Sequence, residues 1–289
     1  MLSRKYMRHF YGSCILALIW SFAVGLLLAA QTKPRNDHPS LPKLFIVGDS
    51  TAHINGDQEK YGVKARVGWG TPFHRYFDPE KIDVINAASA GRSSRTYLRE
   101  GKWRRVLNQL GSGDFVLIQF GHNDPGGVGT GKDRGSLPGV GNQTKLVQHA
   151  GGSVELVHTF GWYLRRYIAD TRARGATPII LSVTPRNIWI NGQPEEGLGH
   201  YRQWAYEVAR QEQVEFVDVS RIVSQRYVEL GQQKVASFFP LDHTHTDRQG
   251  AEVVARCVVA GLKGLPHHPF QPYLSSLGRA VRPVAPGYR

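Results

Sequence analysis

Five short apolar runs recur along the chain with helix-patterned stretches between them, and this alternation limits the possible folds more than any other feature. The runs are Leu44–Val47, Ile82–Ile85, Phe115–Phe120, Pro178–Val183 and Val214–Val219. Each is too short for a helix and almost continuously apolar, as strands buried on both faces are. The clearest helical pattern spans Val154 to Arg174. There Val157, Phe160, Leu164, Tyr167 and Ile168 share a face at 3.6-residue spacing, and Gly175 stands where the helix should stop. A last amphipathic helix is expected from about Arg248 to Leu262. Strands alternating with helices imply a parallel sheet covered on both sides. The expected fold is therefore α/β: a three-layer α/β/α sandwich around a flavodoxin-like five-stranded parallel sheet, over residues 43–265. The tail 266–289, rich in Pro and Gly, is expected to wrap the surface or to stay mobile.

The start of the chain reads differently. Arg4, Lys5 and Arg8 precede an apolar run from Cys14 to Ala30 that only Ser21 interrupts. A basic stretch, an apolar stretch and small residues at its end form the pattern of an export signal. Residues 1–30 are expected to be that signal or an N-terminal membrane anchor, and the polar, proline-bearing residues 31–42 a linker. The expected location is outside the cytoplasm, secreted or periplasmic, with an anchored form possible. Cys14 and Cys257 are the only cysteines, so a processed chain keeps one thiol and can form no internal disulfide. Its core alone must hold it together.

Composition narrows the partner. With 41% hydrophobic residues the chain is not of a disordered or collagen-like class. The formal net charge is +13. Discounting the three basic residues of the export segment still leaves about +10, which favours polyanions: nucleic acid, anionic lipid or acidic polysaccharide.

Polar residues gather where the strands end. Gly48-Asp49-Ser50 follows the first run, a turn containing Gly91 the second, and Gly121-His122-Asn123-Asp124 the third; Asp242-His243-Thr244-His245 precedes the last helix. After the third run comes a long glycine-rich segment, 125–149, expected to be a loop over the same edge. Each feature alone is an ordinary cap or turn. Together they supply an acyl-transfer site. A serine needs a base to take its proton, a histidine needs a carboxylate to fix its tautomer, and the oxyanion needs preplaced donors. Ser50, His245 and Asp242 fit the first three roles. The backbone N–H groups of Ser50 and Gly91 and the amide of Asn123 fit the last. The Asp-His-Thr-His segment also has the form of a metal cluster, an alternative that the spacing by itself leaves open.

These blocks resemble the SGNH (GDSL) hydrolase superfamily: Ser50 in "GDST", Gly91 in "SAGRSS", Asn123 in "GHND" and the Asp242-x-x-His245 pair. The stretches "NAASAGRSSRTYLREGKW", "RGSLPG", "TPIILSVTPRN" and "FFPLDHTHT" are further similar to its rhamnogalacturonan acetylesterase-like subfamily. The resemblance implies a monomeric esterase, without cofactor or metal, that removes O-acetyl groups from an acetylated acidic plant polysaccharide or oligosaccharide rather than binding nucleic acid. It implies no membrane contact for the processed domain unless the N-terminal segment is retained. Arg92, Arg95 and His243 are candidate substrate contacts; the two arginines fit equally well as braces of their loop through carbonyl contacts, and His243 as a structural histidine or a pocket wall. Trp69, Trp103 and Trp189 are either sugar platforms or core. A lipase or lysophospholipase, or an acetylxylan esterase, on the same scaffold is the competing reading; a non-catalytic carbohydrate-binding module is a weaker one.

Overall fold

A computed structural model describes residues 41–53, 60, 62–149 and 151–288. The export segment and nearly all of the linker lie outside these residues. The five apolar runs form the strands β1 (Lys43–Gly48), β2 (Asp83–Asn86), β3 (Phe115–Gln119), β6 (Thr177–Leu181) and β9 (Glu215–Val217). They make one parallel sheet in the order β2-β1-β3-β6-β9. This is the flavodoxin-like order expected from the sequence. Two short hairpins flank it, β4 (Thr144–Gln148) with β5 (Val154–His158) and β7 (Trp189–Ile190) with β8 (Gln193–Pro194).

Side chains alternate across the strands and build two separate cores. Leu44, Ile46, Leu117, Ile179 and Val217 face one way, against helices α5 (Val219–Leu230) and α6 (Arg248–Lys263). Phe45, Val47, Val116, Ile118 and Ile180 face the other, against α1 (Ser94–Arg99), α2 (Lys102–Leu107), α3 (Phe160–Ala173) and α4 (Tyr201–Gln211). Because the strands are parallel, every connection leaves at the same edge and returns over a helix. The sequence order reverses between β1 and β3, and ligands gather at such a switch point.

One expectation is overturned and two open alternatives are decided. The helix predicted from Val154 begins only at Phe160, where the Thr159 side chain accepts from the Trp162 N–H. Residues 154–158 are a strand, since β4 offers them an antiparallel partner. That partner lies inside the stretch predicted to be loop, and periodicity within 154–158 could not reveal it. Trp69 and Trp103 are core, 0% and 2% exposed, so neither is a platform; only Trp189 stays partly open. The tail beyond Leu265 is built into the domain. Phe270, Leu274 and Val281 are buried, α7 (Ser276–Ala280) packs beside Tyr76, and Val284 donates its N–H to the Ala260 carbonyl.

The last residue of β1 carries a tight constraint. A β-carbon on Gly48 would stand 2.7 Å from the Gln119 carbonyl oxygen of β3. Main chain in a sheet centre cannot retreat, so Gly48→Ala should lower stability by about 1–3 kcal/mol, as overpacking does. A denaturation midpoint unchanged from the parent would contradict this reading of the β1–β3 contact.

Candidate active site

Ser50 stands two residues past the end of β1. Its turn is held from below by Asp49, which is buried and accepts from the Thr51 N–H and Oγ1, each at 2.9 Å. The Ser50 Oγ lies 2.8 Å from His245 Nε2, across 195 positions of sequence. His245 Nδ1 is 2.8 Å from Asp242 Oδ2. The other carboxylate oxygen of Asp242 accepts from the backbone N–H groups of Thr244 (2.7 Å) and His245 (2.8 Å). Partial burial would raise the Asp242 carboxyl, but these hydrogen bonds outweigh it and hold the group below the usual carboxylate range. An ionised Asp242 only accepts, so the imidazole proton sits on Nδ1 and Nε2 is left to accept from Ser50. The loop bearing both residues is clamped on two sides. The Val67 N–H donates to the Thr246 carbonyl, Thr246 Oγ1 donates back to the Val67 carbonyl, and the Asn187 N–H donates to the His243 carbonyl.

Three loops meet beside Ser50. The Ser89 N–H donates to the Gly48 carbonyl at 2.9 Å, tying the second loop to the first. Asn123 Nδ2 donates to the Arg92 carbonyl at 2.9 Å, tying the third loop to the second. That bond uses one amide hydrogen and leaves the other. Gly91 has φ +75°, a conformation side chains disfavour. Among the described residues, the N–H groups of Ser50 and Gly91 donate to no acceptor. Two uncommitted donors and a half-committed amide thus lie on loops that are bonded, directly or through one another, to the strand that ends at the Ser50 turn.

The other candidates fall elsewhere. Arg95 has a fully buried side chain that bonds Glu155 twice, at 2.9 and 2.6 Å, and also Asp133 and the Gly135 carbonyl. It ties α1 to the glycine-rich segment and to β5, and so cannot meet a substrate. Arg92 braces its own loop through the Ala90 carbonyl and Glu100. His243 is exposed at the rim. The metal alternative fails on donors: both nitrogens of His245 are engaged, and no described group of three or more His, Cys, Asp or Glu residues is placed to hold a metal ion. His122 is buried against Thr184 Oγ1 at 3.1 Å, and burial pushes it down to about 4, so it is neutral at pH 7.

Sequence reasoning missed Arg134. It lies in the glycine-rich segment, and its Nη1 is 3.8 Å from where a β-carbon on Gly91 would stand. Among the described residues no carboxylate pairs with it. The one sequence signal was its place in "RGSLPG". It also missed Asp124. This buried carboxylate accepts from the Ser94 N–H and hydroxyl and from Ser136 Oγ, joining α1 to the glycine-rich segment directly after Asn123. Burial raises it to about 6 despite those bonds.

A family model described as the GDSL-like lipase/acylhydrolase family matches residues 46–253. The rhamnogalacturonan acetylesterase of Emericella nidulans is 32% identical over 212 residues, which cover 73% of this chain and 81% of that protein. A probable rhamnogalacturonan acetylesterase of Bacillus subtilis, YesY, is 30% identical over 230 residues, covering 77% and 94%. The solved structure of the Bacillus subtilis protein YXIM matches with a TM-score of 0.61 at 22% identity. That match covers 78% of this chain but 56% of the other, so this chain spans little more than half that structure's length; the likeness concerns the fold alone.

The Arg95 cluster sets an acid limit on the loop over the site. Burial raises both of its carboxyls. The Gly129 N–H and Arg95 bring Asp133 down to about 2, and Arg95 with Arg99 brings Glu155 down to about 2. Both folded values lie below the unfolded ones, so the contribution is present at neutral pH. It is lost as pH falls from about 4.5 towards 2. Arg95→Met should cost about 3 kcal/mol at pH 7, the low end for breaking a buried pair, because the acids keep some solvent. It should also flatten the stability profile across that acid window. Denaturant titrations at a series of pH values read both effects, and an unaltered acid slope would contradict the assignment.

Proposed function

The chain belongs to the GDSL-like lipase/acylhydrolase family and is an esterase, and from that premise we propose that it is a serine carbohydrate esterase releasing acetate from an acidic plant cell-wall polysaccharide of the rhamnogalacturonan type. The observation that carries the chemistry is the Ser50–His245–Asp242 relay, with both links at 2.8 Å; the backbone N–H groups of Ser50 and Gly91 have no acceptor among the described residues. Two relatives with acetylesterase names support the substrate class. Arg134, beside Gly91 and without a carboxylate partner among the described residues, supports an acidic chain, because a guanidinium there can meet a uronate carboxylate.

In this reading Ser50 Oγ attacks the acetyl carbonyl carbon while His245 Nε2 takes the hydroxyl proton. The carbonyl oxygen becomes an anion and receives hydrogen bonds from the N–H groups of Ser50 and Gly91 and from Asn123 Nδ2. Asp242 holds the imidazole through Nδ1 and stabilises its charge. The bond to the sugar oxygen then breaks, and His245 returns the proton to that oxygen as it leaves. A water, deprotonated by His245, attacks the acetyl-serine; acetate departs and Ser50 regains its proton. The export reading of residues 1–30 completes the proposal, since a cell-wall polymer is met outside the cell. No helix among the described residues is long and apolar enough to cross a membrane.

Ser50→Ala should lower kcat on acetylated pectin by about 10⁴-fold or more with the fold retained. Asn123→Ala should lower kcat by about 10²–10³-fold with little change in KM. A fluorophosphonate probe labelling another serine, or a defect confined to KM in the Asn123 variant, would overturn the roles. Arg134→Gln should raise KM on acetylated rhamnogalacturonan while sparing a small neutral ester such as 4-nitrophenyl acetate. Equal losses on both would remove Arg134 from substrate recognition.

A further inference from the structure

A groove of about 1210 Å³ lies along the outer face of α6, somewhat above the roughly 300–1,000 Å³ of a small-molecule pocket. Its floor runs from Arg248 in the first turn of α6 to Ala260 near its end, about 18 Å at the helical rise. One wall is α5; the other is Arg75 with α7 and the tail that follows it. None of Ser50, Gly91, Asn123, Arg134 or His245 lines it.

Its charge is unbalanced. Arg75 is paired with Glu252 and Arg226 with Glu229. Arg248, Arg256 and Arg282 also line the groove, all three exposed, and among the described residues none has a carboxylate partner. Arg248 and Arg256 are eight residues apart, two turns along one helix face. Three free guanidiniums in a concave, elongated site favour a polymer that carries carboxylates at intervals, each able to accept two parallel N–H bonds. The two glutamates narrow the choice. A sugar acid chain brings hydroxyl donors between its carboxylates, and Glu229 and Glu252 can accept from those.

We infer that the α6 groove is a second, non-catalytic binding site for a uronate-bearing polysaccharide chain, which holds the polymer on the enzyme while the Ser50 site acts on it. The inference rests on the acidic-polysaccharide reading above. One end of the groove, at Arg248, is three residues from His245 in sequence, so a chain lying along α6 leads towards the catalytic end of the sheet.

The test is binding of unacetylated polygalacturonate to the whole protein, with Arg256→Glu and Arg282→Glu made together. The double variant should bind about tenfold more weakly than the parent at low salt, from two lost surface pairings. The difference should shrink as salt is added. Turnover of 4-nitrophenyl acetate should be unchanged, because neither residue belongs to the Ser50 site. If the charge reversal lowers that turnover, Arg256→Gln with Arg282→Gln removes the charges without adding repulsion and must weaken polygalacturonate binding in the same direction. Unchanged affinity in the variants overturns the groove, as does a loss confined to duplex DNA or to phosphatidylserine vesicles. Acetate release from acetylated pectin separates the two readings. Groove-dependent binding without acetate release leaves the groove and removes the substrate assignment; acetate release with groove-independent binding does the reverse.

Discussion

A parallel sheet buried on both faces has no freedom to join neighbouring strands by tight turns. Every connection must cross over a helix, and every strand delivers its chain to the same edge. In this protein that geometric rule delivers the loops of Ser50, Gly91 and Asn123 to one edge, where hydrogen bonds join them. His245 reaches Ser50 from a fourth loop, before α6. The β1–β3 pairing is the critical contact, because the order of the strands reverses there and opens a crevice. The close approach of Gly48 to the Gln119 carbonyl shows how little slack that pairing has.

The loops are then fixed to one another by polar groups chosen for burial. Backbone bonds link Ser89 to Gly48, and Asn123 reaches the Arg92 carbonyl. The glycine-rich segment has few side chains to pack, so it is held by charge: Arg95 inserts beneath it and meets Asp133, Glu155 and a carbonyl, while Asp124 holds Ser136 from the other side. A buried guanidinium with its bonding positions filled makes a rigid strut. The result is a flexible composition held in a defined place, with Arg134 presented beside Gly91.

Charge on this molecule has two uses that composition cannot separate. Some arginines are struts, as Arg92 and Arg95 are. Others, among them Arg134, Arg248, Arg256 and Arg282, have no carboxylate partner among the described residues. Only the second group can act on a polyanion. The net charge of +13 is therefore consistent with the proposed partner class but does not indicate which side chains would meet it.

The amino-acid sequence alone determined the sheet, its strand order and the family. Fully buried strands must be continuous apolar runs, and crossover helices must carry a 3.6-residue stripe, so both are written locally. The four site blocks were legible for the same reason: each is a short segment at a strand end or before a helix, and their order along the chain is diagnostic. Only the tertiary structure decided the rest. Residues 154–158 became a strand because β4 pairs with them, and pairing is a property of two segments. Trp69 and Trp103 became core, and Arg95 a strut, because burial depends on what packs from elsewhere in the chain. Arg134 reached the site because the strut beneath it sets the path of its loop. Periodicity records what a segment needs from its own neighbours in sequence; it cannot record which distant group supplies a partner, and that is a matter of packing in three dimensions.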